Sequence, residues 1–287
     1  MQTIRQLADM TRCSNEIIAS GSSLALVPTM GYFHEGHLSL MRLARRLADR
    51  VVVSLFVNSM QFGPNEDLSN YPRDLEMDSR MAADEKIDFL FLPTDRDMYS
   101  SDFNARVRVD GITDTLCGNQ RPGHFEGVTT VVAKLFNIVK PNIAVFGQKD
   151  FQQLSVIAKM VRDLNWDIEI VGHPIVREDD GLAMSSRNTY LTSEERGKAL
   201  CLYKAIQHAK TRFESGLTDA ELLKFEIRDI ILANSGVSVD YISVVDKDNL
   251  FDKEEIDSNS VLALAVKVGK TRLIDNCFLG LDTETSN

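Results

Sequence analysis

Two histidines, His34 and His37, stand three residues apart in the stretch Pro28-Thr29-Met30-Gly31-Tyr32-Phe33-His34-Glu35-Gly36-His37. The stretch lies between an apolar run and an amphipathic segment, where a strand hands over to a helix. A helix N-terminus carries unpaired N–H groups and a partial positive charge, and phosphate favours that position. Gly31 lets the chain turn and Gly36 lets a bulky ligand approach the backbone. Two imidazoles there can donate hydrogen bonds to a phosphate whose negative charge shifts in a transition state. The plainer reading is a pair of helix-capping or surface histidines. Zinc fits poorly, because the zincin pattern needs its histidines four apart on a helix. The dinucleotide fingerprint G-x-G-x-x-G is missing.

A second stretch, Met184-Ser185-Ser186-Arg187, follows Asp180-Gly181-Leu182-Ala183. Two hydroxyls and a guanidinium in succession can wrap phosphate oxygens, and arginine suits a forked contact. A loop of this kind can also close over a ligand. Alone, Ser-Ser-Arg is more often a solvated turn. Gly147-Gln148-Lys149-Asp150 comes after another apolar run. Lys149 can neutralise phosphate there, and Asp150 can accept from a ribose hydroxyl; the bland alternative is an exposed charge pair in a turn. Gln61 and Gln153 are neutral amides that suit a polyhydroxy substrate, since each offers donors and an acceptor. Residues 119–127, with Arg121 and His124, read either as a mobile substrate loop or as a long connection.

The elements that must position these groups alternate. Residues 24–27, 51–57, 87–92, 143–146 and 168–171 read as strands. Residues 40–47 read as a helix with Leu40, Leu43, Ala44 and Leu47 on one face, and 128–139 and 154–161 as further helices. Strand-helix alternation predicts an α/β fold, a doubly wound parallel sheet covered on both faces with right-handed crossovers. After about residue 174 the pattern changes to helices at 193–213 and 218–232, then strands at 241–245, 261–268 and 271–276. The expected division is a domain over 1–174 and a smaller C-terminal α+β domain over 175–287.

Composition narrows the setting. Of 287 residues, 44% are hydrophobic and 26% charged, as in a globular chain. No run reaches the roughly 18 apolar residues of a membrane helix, and no export signal is expected. The four cysteines, Cys13, Cys117, Cys201 and Cys277, have no metal or redox spacing and read as free thiols in a reducing cytoplasm. A net charge of −10 argues against nucleic acid and leaves anion binding to local donors.

Taken together, these residues resemble the pantoate–β-alanine ligase family. The likeness runs through the stretch from Pro28 to His37, Phe56-Val57-Asn58, Gln61-Phe62, Glu66-Asp67 and Tyr71-Pro72-Arg73. It continues through His124-Phe125-Glu126-Gly127-Val128, residues 134–139, Phe146 to Asp150, Gln152-Gln153, residues 180–188 and Thr271-Arg272-Leu273-Ile274-Asp275-Asn276. The resemblance implies a Rossmann-like domain of the HxGH nucleotidyltransferase type with a C-terminal lid, in a cytoplasmic homodimer. It implies ATP, Mg2+, (R)-pantoate and β-alanine as ligands. Pantoyl adenylate and pyrophosphate would form first, and the β-alanine amine would then displace AMP to give pantothenate for coenzyme A synthesis.

By position, the ATP site would take in Met30, Gly31, His34, Gly36, His37, Gly147, Gln148, Lys149, Asp150, Val176, Met184, Ser185, Ser186 and Arg187. His37, His34, Lys149 and Arg187 would act on the reacting phosphate. The family assigns the position of His37 as proton donor; stabilisation of the α-phosphate fits the chemistry better, since adenylating a carboxylate needs no proton donor. Gln61 and Gln153 would hold the pantoate hydroxyls. Ser59 departs from the proline usual in the family, which frees the backbone beside Gln61 and is expected to loosen the pantoate pocket modestly. The rival readings are another HxGH nucleotidyltransferase, a class I aminoacyl-tRNA synthetase and a non-catalytic ATP-binding regulator. The glutamines disfavour the first, and the lack of a tRNA-binding appendage disfavours the second.

Overall fold

The computed structural model describes residues 1–64 and 66–280; the end of the expected C-terminal domain, 281–287, lies outside them. In chain order the elements are β1 (Gln2–Ile4), α1 (Leu7–Ala19), β2 (Leu24–Thr29), α2 (Glu35–Leu47), β3 (Arg50–Leu55), α3 (Leu75–Asp84), β4 (Phe89–Phe91) and α4 (Asp95–Met98). There follow α5 (Leu116–Gln120), α6 (His124–Val139), β5 (Ile143–Gly147), α7 (Phe151–Asp163) and β6 (Glu169–His173). The rest are α8 (Ser193–Ala199), α9 (Cys201–Glu214), α10 (Ala220–Leu232), β7 (Val237–Asp246), β8 (Ser260–Val268) and β9 (Thr271–Phe278).

The chain forms two compact units. The first comprises Met1–Asp110, Arg121–Gln148 and Gln153–His173; the second comprises Gly111–Gln120, Lys149–Gln152 and Pro174–Asn287.

In the first unit a six-stranded sheet runs β1-β4-β3-β2-β5-β6, with every pair parallel. Helices cover both faces, as the alternation predicts. Strand order reverses between β2 and β5, so their carboxyl ends form a switch point, where such sheets bind ligands. β2 continues through Pro28 rather than ending there. Its pairing with β5 stops at Leu26, while Pro28 remains in register with Ser54 of β3. Proline is tolerated where no ladder bond is demanded of its nitrogen. The buried face of α2 is Leu40, Met41 and Ala44, with Leu47 exposed. The apolar stripe is thus rotated from the expected one, with Met41 filling the core at 0% exposure. α6 buries Val128, Val131, Val132, Leu135, Phe136 and Val139 and stops at Lys140, whose left-handed φ of 50° closes the helix before Pro141.

In the second unit β7-β8-β9 form an antiparallel sheet. α9 and α10 pack on it through Leu202, Ile206, Leu223 and Ile227, which meet Leu262 and Leu264 in one apolar cluster. Fully burying each such side chain contributes about 1.5–3 kcal/mol. The helical stretch expected at 193–213 is two helices, with Leu200 between them.

Candidate active site

The loop after β2 is built around a buried carboxylate that the sequence reading did not single out. Gly31 has φ +84° and Tyr32 φ +53°, so two successive residues take the left-handed conformation. For a tyrosine that is strained. Asp78 of α3 compensates: it accepts from the Tyr32 N–H at 2.8 Å and the Phe33 N–H at 2.7 Å. A Cβ on Gly31 would lie 2.9 Å from Asp78 Oδ2, so glycine is required by space as well as by φ. Burial pushes the Asp78 carboxyl above the usual aspartate value; the two N–H donors pull it down without cancelling that effect.

The loop delivers His34 to the N-cap of α2 and places His37 one turn in, with ring centroids 4.1 Å apart. The backbone N–H of His34 donates to His37 Nδ1 at 3.3 Å. Accepting there assigns the proton of a neutral imidazole to Nε2, which makes that nitrogen a donor. Gly36 is the second residue of α2. On the neighbouring strand Gly147 ends β5 and Gln148 opens the next turn, so Met30 to His37 and Gly147-Gln148 share the switch-point end of the sheet.

Gln61 is held from both ends. Asn58, 1% exposed, donates from Nδ2 to Gln61 Oε1 at 2.9 Å and to Gly127 O at 3.1 Å. The Tyr99 hydroxyl donates to Asn58 Oδ1 at 2.6 Å, and burial pushes that phenol well up, so it stays protonated. Gln61 Nε2 donates to Met30 Sδ at 3.3 Å, which joins two of the expected site residues. The backbone oxygen of Gln61 accepts from His124 Nδ1 at 2.8 Å and from Arg121 Nη2 at 3.3 Å. Arg121 in turn grips Glu66 at 2.5 and 2.6 Å. Burial raises the Glu66 carboxyl, but Arg121 outweighs it and holds it below the usual value. Residues 119–127 thus run from the end of α5 through a turn at 121–123 into the first turn of α6, with Arg121 and His124 gripping Gln61. Gly127 admits this packing, since a Cβ there would overlap the Met60 carbonyl oxygen. Ser59 opens the turn Ser59–Gln61, and its hydroxyl donates to Asp95 at 2.6 Å, a tether that a proline would lack. Gln153 lies in the first turn of α7, half-buried.

The remaining expected residues lie in the second unit. Lys149 and Asp150 complete the turn Gln148–Asp150, and Lys149 O accepts from Asn276 Nδ2 at 2.9 Å. Residues 176–184 fold as a hairpin: Met184 N–H donates to Val176 O at 3.0 Å, and Glu178 N–H to Leu182 O at 2.9 Å. Val176 and Met184 are therefore brought together. Gly181, at φ +91°, makes the tip. Arg177 donates to Asp275 at 2.7 and 3.0 Å and to Gly181 O at 3.1 Å, and its guanidinium lies 5.1 Å from the Tyr203 ring centre. Beyond the hairpin Ser185 caps the turn Ser186–Tyr190, its hydroxyl accepting from Arg187 N–H at 3.3 Å. Asp78 and Arg177 have partners distant in sequence that no spacing signals; Asn58, Asp275 and Asn276 stood in motifs without a role.

A doubly wound parallel sheet with a histidine-bearing loop at its switch point defines an α/β enzyme of the nucleotide-binding kind. A family model described as pantoate-beta-alanine ligase matches residues 2–278. A pantothenate synthetase of Thermosipho africanus is 52% identical over 97% of this chain and 100% of its own. The crystal structure of pantothenate synthetase from Thermus thermophilus superposes with a TM-score of 0.92 at 40% identity, covering 97% of this chain and 99% of that one. A pantoate-beta-alanine ligase from Francisella tularensis, complexed with beta-gamma ATP and beta-alanine, gives 0.81 at 34% identity over 98% of both chains. The chain belongs to the pantoate-beta-alanine ligase family and is a ligase. Among the described residues no helix is long and apolar enough to cross a membrane.

Proposed function

We propose that the chain condenses (R)-pantoate with β-alanine through pantoyl adenylate, with ATP as the activating substrate. A pantoate carboxylate oxygen attacks the α-phosphorus, the bond to the β-phosphate breaks, and pyrophosphate leaves. The neutral β-alanine amine then attacks the acyl carbon and gives up one proton to solvent, and AMP leaves with that oxygen. Two anions must be held against each other, so orientation and charge stabilisation dominate. The observation that carries the reading is the switch-point loop that sets His34 at the N-cap of α2 and His37 one turn in, its Nδ1 accepting from the His34 N–H.

In this reading His37 and His34 donate to the α-phosphate, and Lys149, Ser185, Ser186 and Arg187 take the remaining phosphate oxygens. Asp150 accepts from the ribose, while Met30, Gly31, Gly36, Gly147, Gln148, Val176 and Met184 line the nucleotide. Gln61 and Gln153 hold the pantoate hydroxyls. A hydroxyl oxygen accepts better than the Met30 thioether, so pantoate displaces that weak contact of Gln61. Magnesium enters on the ATP phosphates, as that ion usually does. The same resemblance supports a cytoplasmic homodimer, to be read by light scattering on the purified chain. The activity test is AMP and pyrophosphate release from MgATP with pantoate and β-alanine added singly and together. Steady AMP release requiring both, with one pantothenate per AMP, is expected. ATP binding without turnover would favour the non-catalytic regulator.

A further inference from the structure

The stretch Thr271 to Asn276 is among the more distinctive parts of the sequence, yet none of its side chains has a role in the reaction as proposed. Its neighbours in the second unit supply one. Successive side chains of a strand face opposite sides. On one face of β9, Asn276 donates to Lys149 O at 2.9 Å, and Phe278, two residues on, meets Phe151 edge to face with ring centres 5.3 Å apart. The segment Lys149–Gln152 is thus pinned to β9 by a hydrogen bond and an aromatic contact. Gln152, at its end, accepts from Cys117 N–H at 2.9 Å and donates to Thr115 O at 2.8 Å.

On the other face of β9, Asp275 is 2% exposed and takes both terminal nitrogens of Arg177. Arg177 is part of the hairpin that leads into Ser185, Ser186 and Arg187. Asp275 Oδ1 also accepts from the backbone N–H of Asn276 at 2.8 Å. An unbroken chain of bonds therefore runs from Gly181 O through Arg177, Asp275 and Asn276 to Lys149 O. Its central bonds are charge-assisted, which makes them the strong ones.

We infer that Asp275 and Asn276 are positioning residues: through this chain β9 fixes the spacing between Lys149 and the Ser185–Arg187 turn, the two phosphate-holding parts of the second unit. The inference rests on the reading of Lys149 and Arg187 as phosphate donors. Neither Asp275 nor Asn276 is assigned a contact with substrate. Each acts through the backbone or side chain it holds, so its effect depends on the donor it positions.

A double-mutant cycle tests this, read as pantoate-dependent pyrophosphate release. Asn276→Ala should lower kcat/KM for ATP about tenfold in the native background but by under about twofold in Lys149→Ala, because residues acting as one unit are not additive. KM for β-alanine should stay within about twofold throughout, as expected of binding that does not involve the phosphates. Asp275→Asn should show the same dependence on Arg187. Equal losses in both backgrounds, or no loss in the native one, would overturn the inference. Native kcat/KM for ATP in Lys149→Ala would instead remove the phosphate role of Lys149, and the inference with it. Should Asn276→Ala fail to fold, Asn276→Ser carries the same cycle with a smaller side chain.

Discussion

The loop after β2 and the hairpin 176–184 are each fixed by a buried aspartate, but by different means. Asp78 accepts two backbone N–H groups of a strained turn and has its carboxyl pushed up by burial. Asp275 accepts a forked guanidinium from Arg177 and one backbone N–H. In the first, conformational strain and desolvation are offset by backbone dipoles. In the second, desolvation is offset by an opposite charge. A paired carboxylate is the harder one to do without, because its loss strands the partner charge. The two loops should therefore respond differently to the same Asp→Asn change.

The largest effect should fall on the paired site. Asp275→Asn leaves Arg177 desolvated without its counter-charge, and urea unfolding should show a loss of about 3 kcal/mol or more. At the other site Asp78→Asn also removes a buried charge, so the stability loss should stay under about 1 kcal/mol, with lost acceptance offset by relief of desolvation. Turnover should nonetheless fall by about tenfold or more, as expected when a donor is misplaced. Equal destabilisation by the two changes would break the comparison.

pH sharpens it. The Asp78 value is raised on folding, so its contribution to stability is fully present below about pH 3.9 and declines as pH rises through the raised value. Glu66 has the opposite sign. Its value is lowered, so its contribution is present above about pH 4.3 and is lost as pH falls through the lowered value. Unfolding curves of Asp78→Asn and Glu66→Gln, each subtracted from the native curve across the acid range, should slope in opposite directions.

Much of this was legible in the sequence and some was not. Alternating apolar runs disclosed the parallel sheet, because strands buried on both faces are continuously apolar. His34, His37 and the Ser185–Arg187 stretch were visible because their residue types carry chemistry at close spacing. β1 was missed because a three-residue strand leaves too short a pattern to read, and α1 because its fully buried positions, Met10 and Ser14, make no apolar stripe. Asp78 and Arg177 were invisible for another reason. Each is an ordinary charged residue in a polar neighbourhood, and its partner is fixed by folding rather than by spacing. The rotated face of α2 shows the same limit, with Met41 rather than Leu47 filling the core.

Smaller effects should appear around Gln61. Gly127→Ala would drive a methyl against Met60 O, and overpacking of this kind costs about 1–3 kcal/mol. The turn Ser59–Gln61 must shift, so KM for pantoate should rise by about tenfold while KM for ATP changes little. Ser59→Pro should do least. Asn58 already has the extended backbone that precedes proline, with φ −72° and ψ 105°. The entropy gained offsets the exposed bond to Asp95, so pantoate affinity should change by under about threefold. A larger gain would mean that the serine loosens the pocket after all.

The most direct test of adenylate formation follows an oxygen atom. Pantoate labelled with 18O in its carboxylate is turned over with MgATP and β-alanine, and the AMP is analysed by mass spectrometry. Attack on the α-phosphorus predicts one labelled oxygen in each AMP and none in pyrophosphate. AMP without label would contradict a pantoyl-adenylate intermediate.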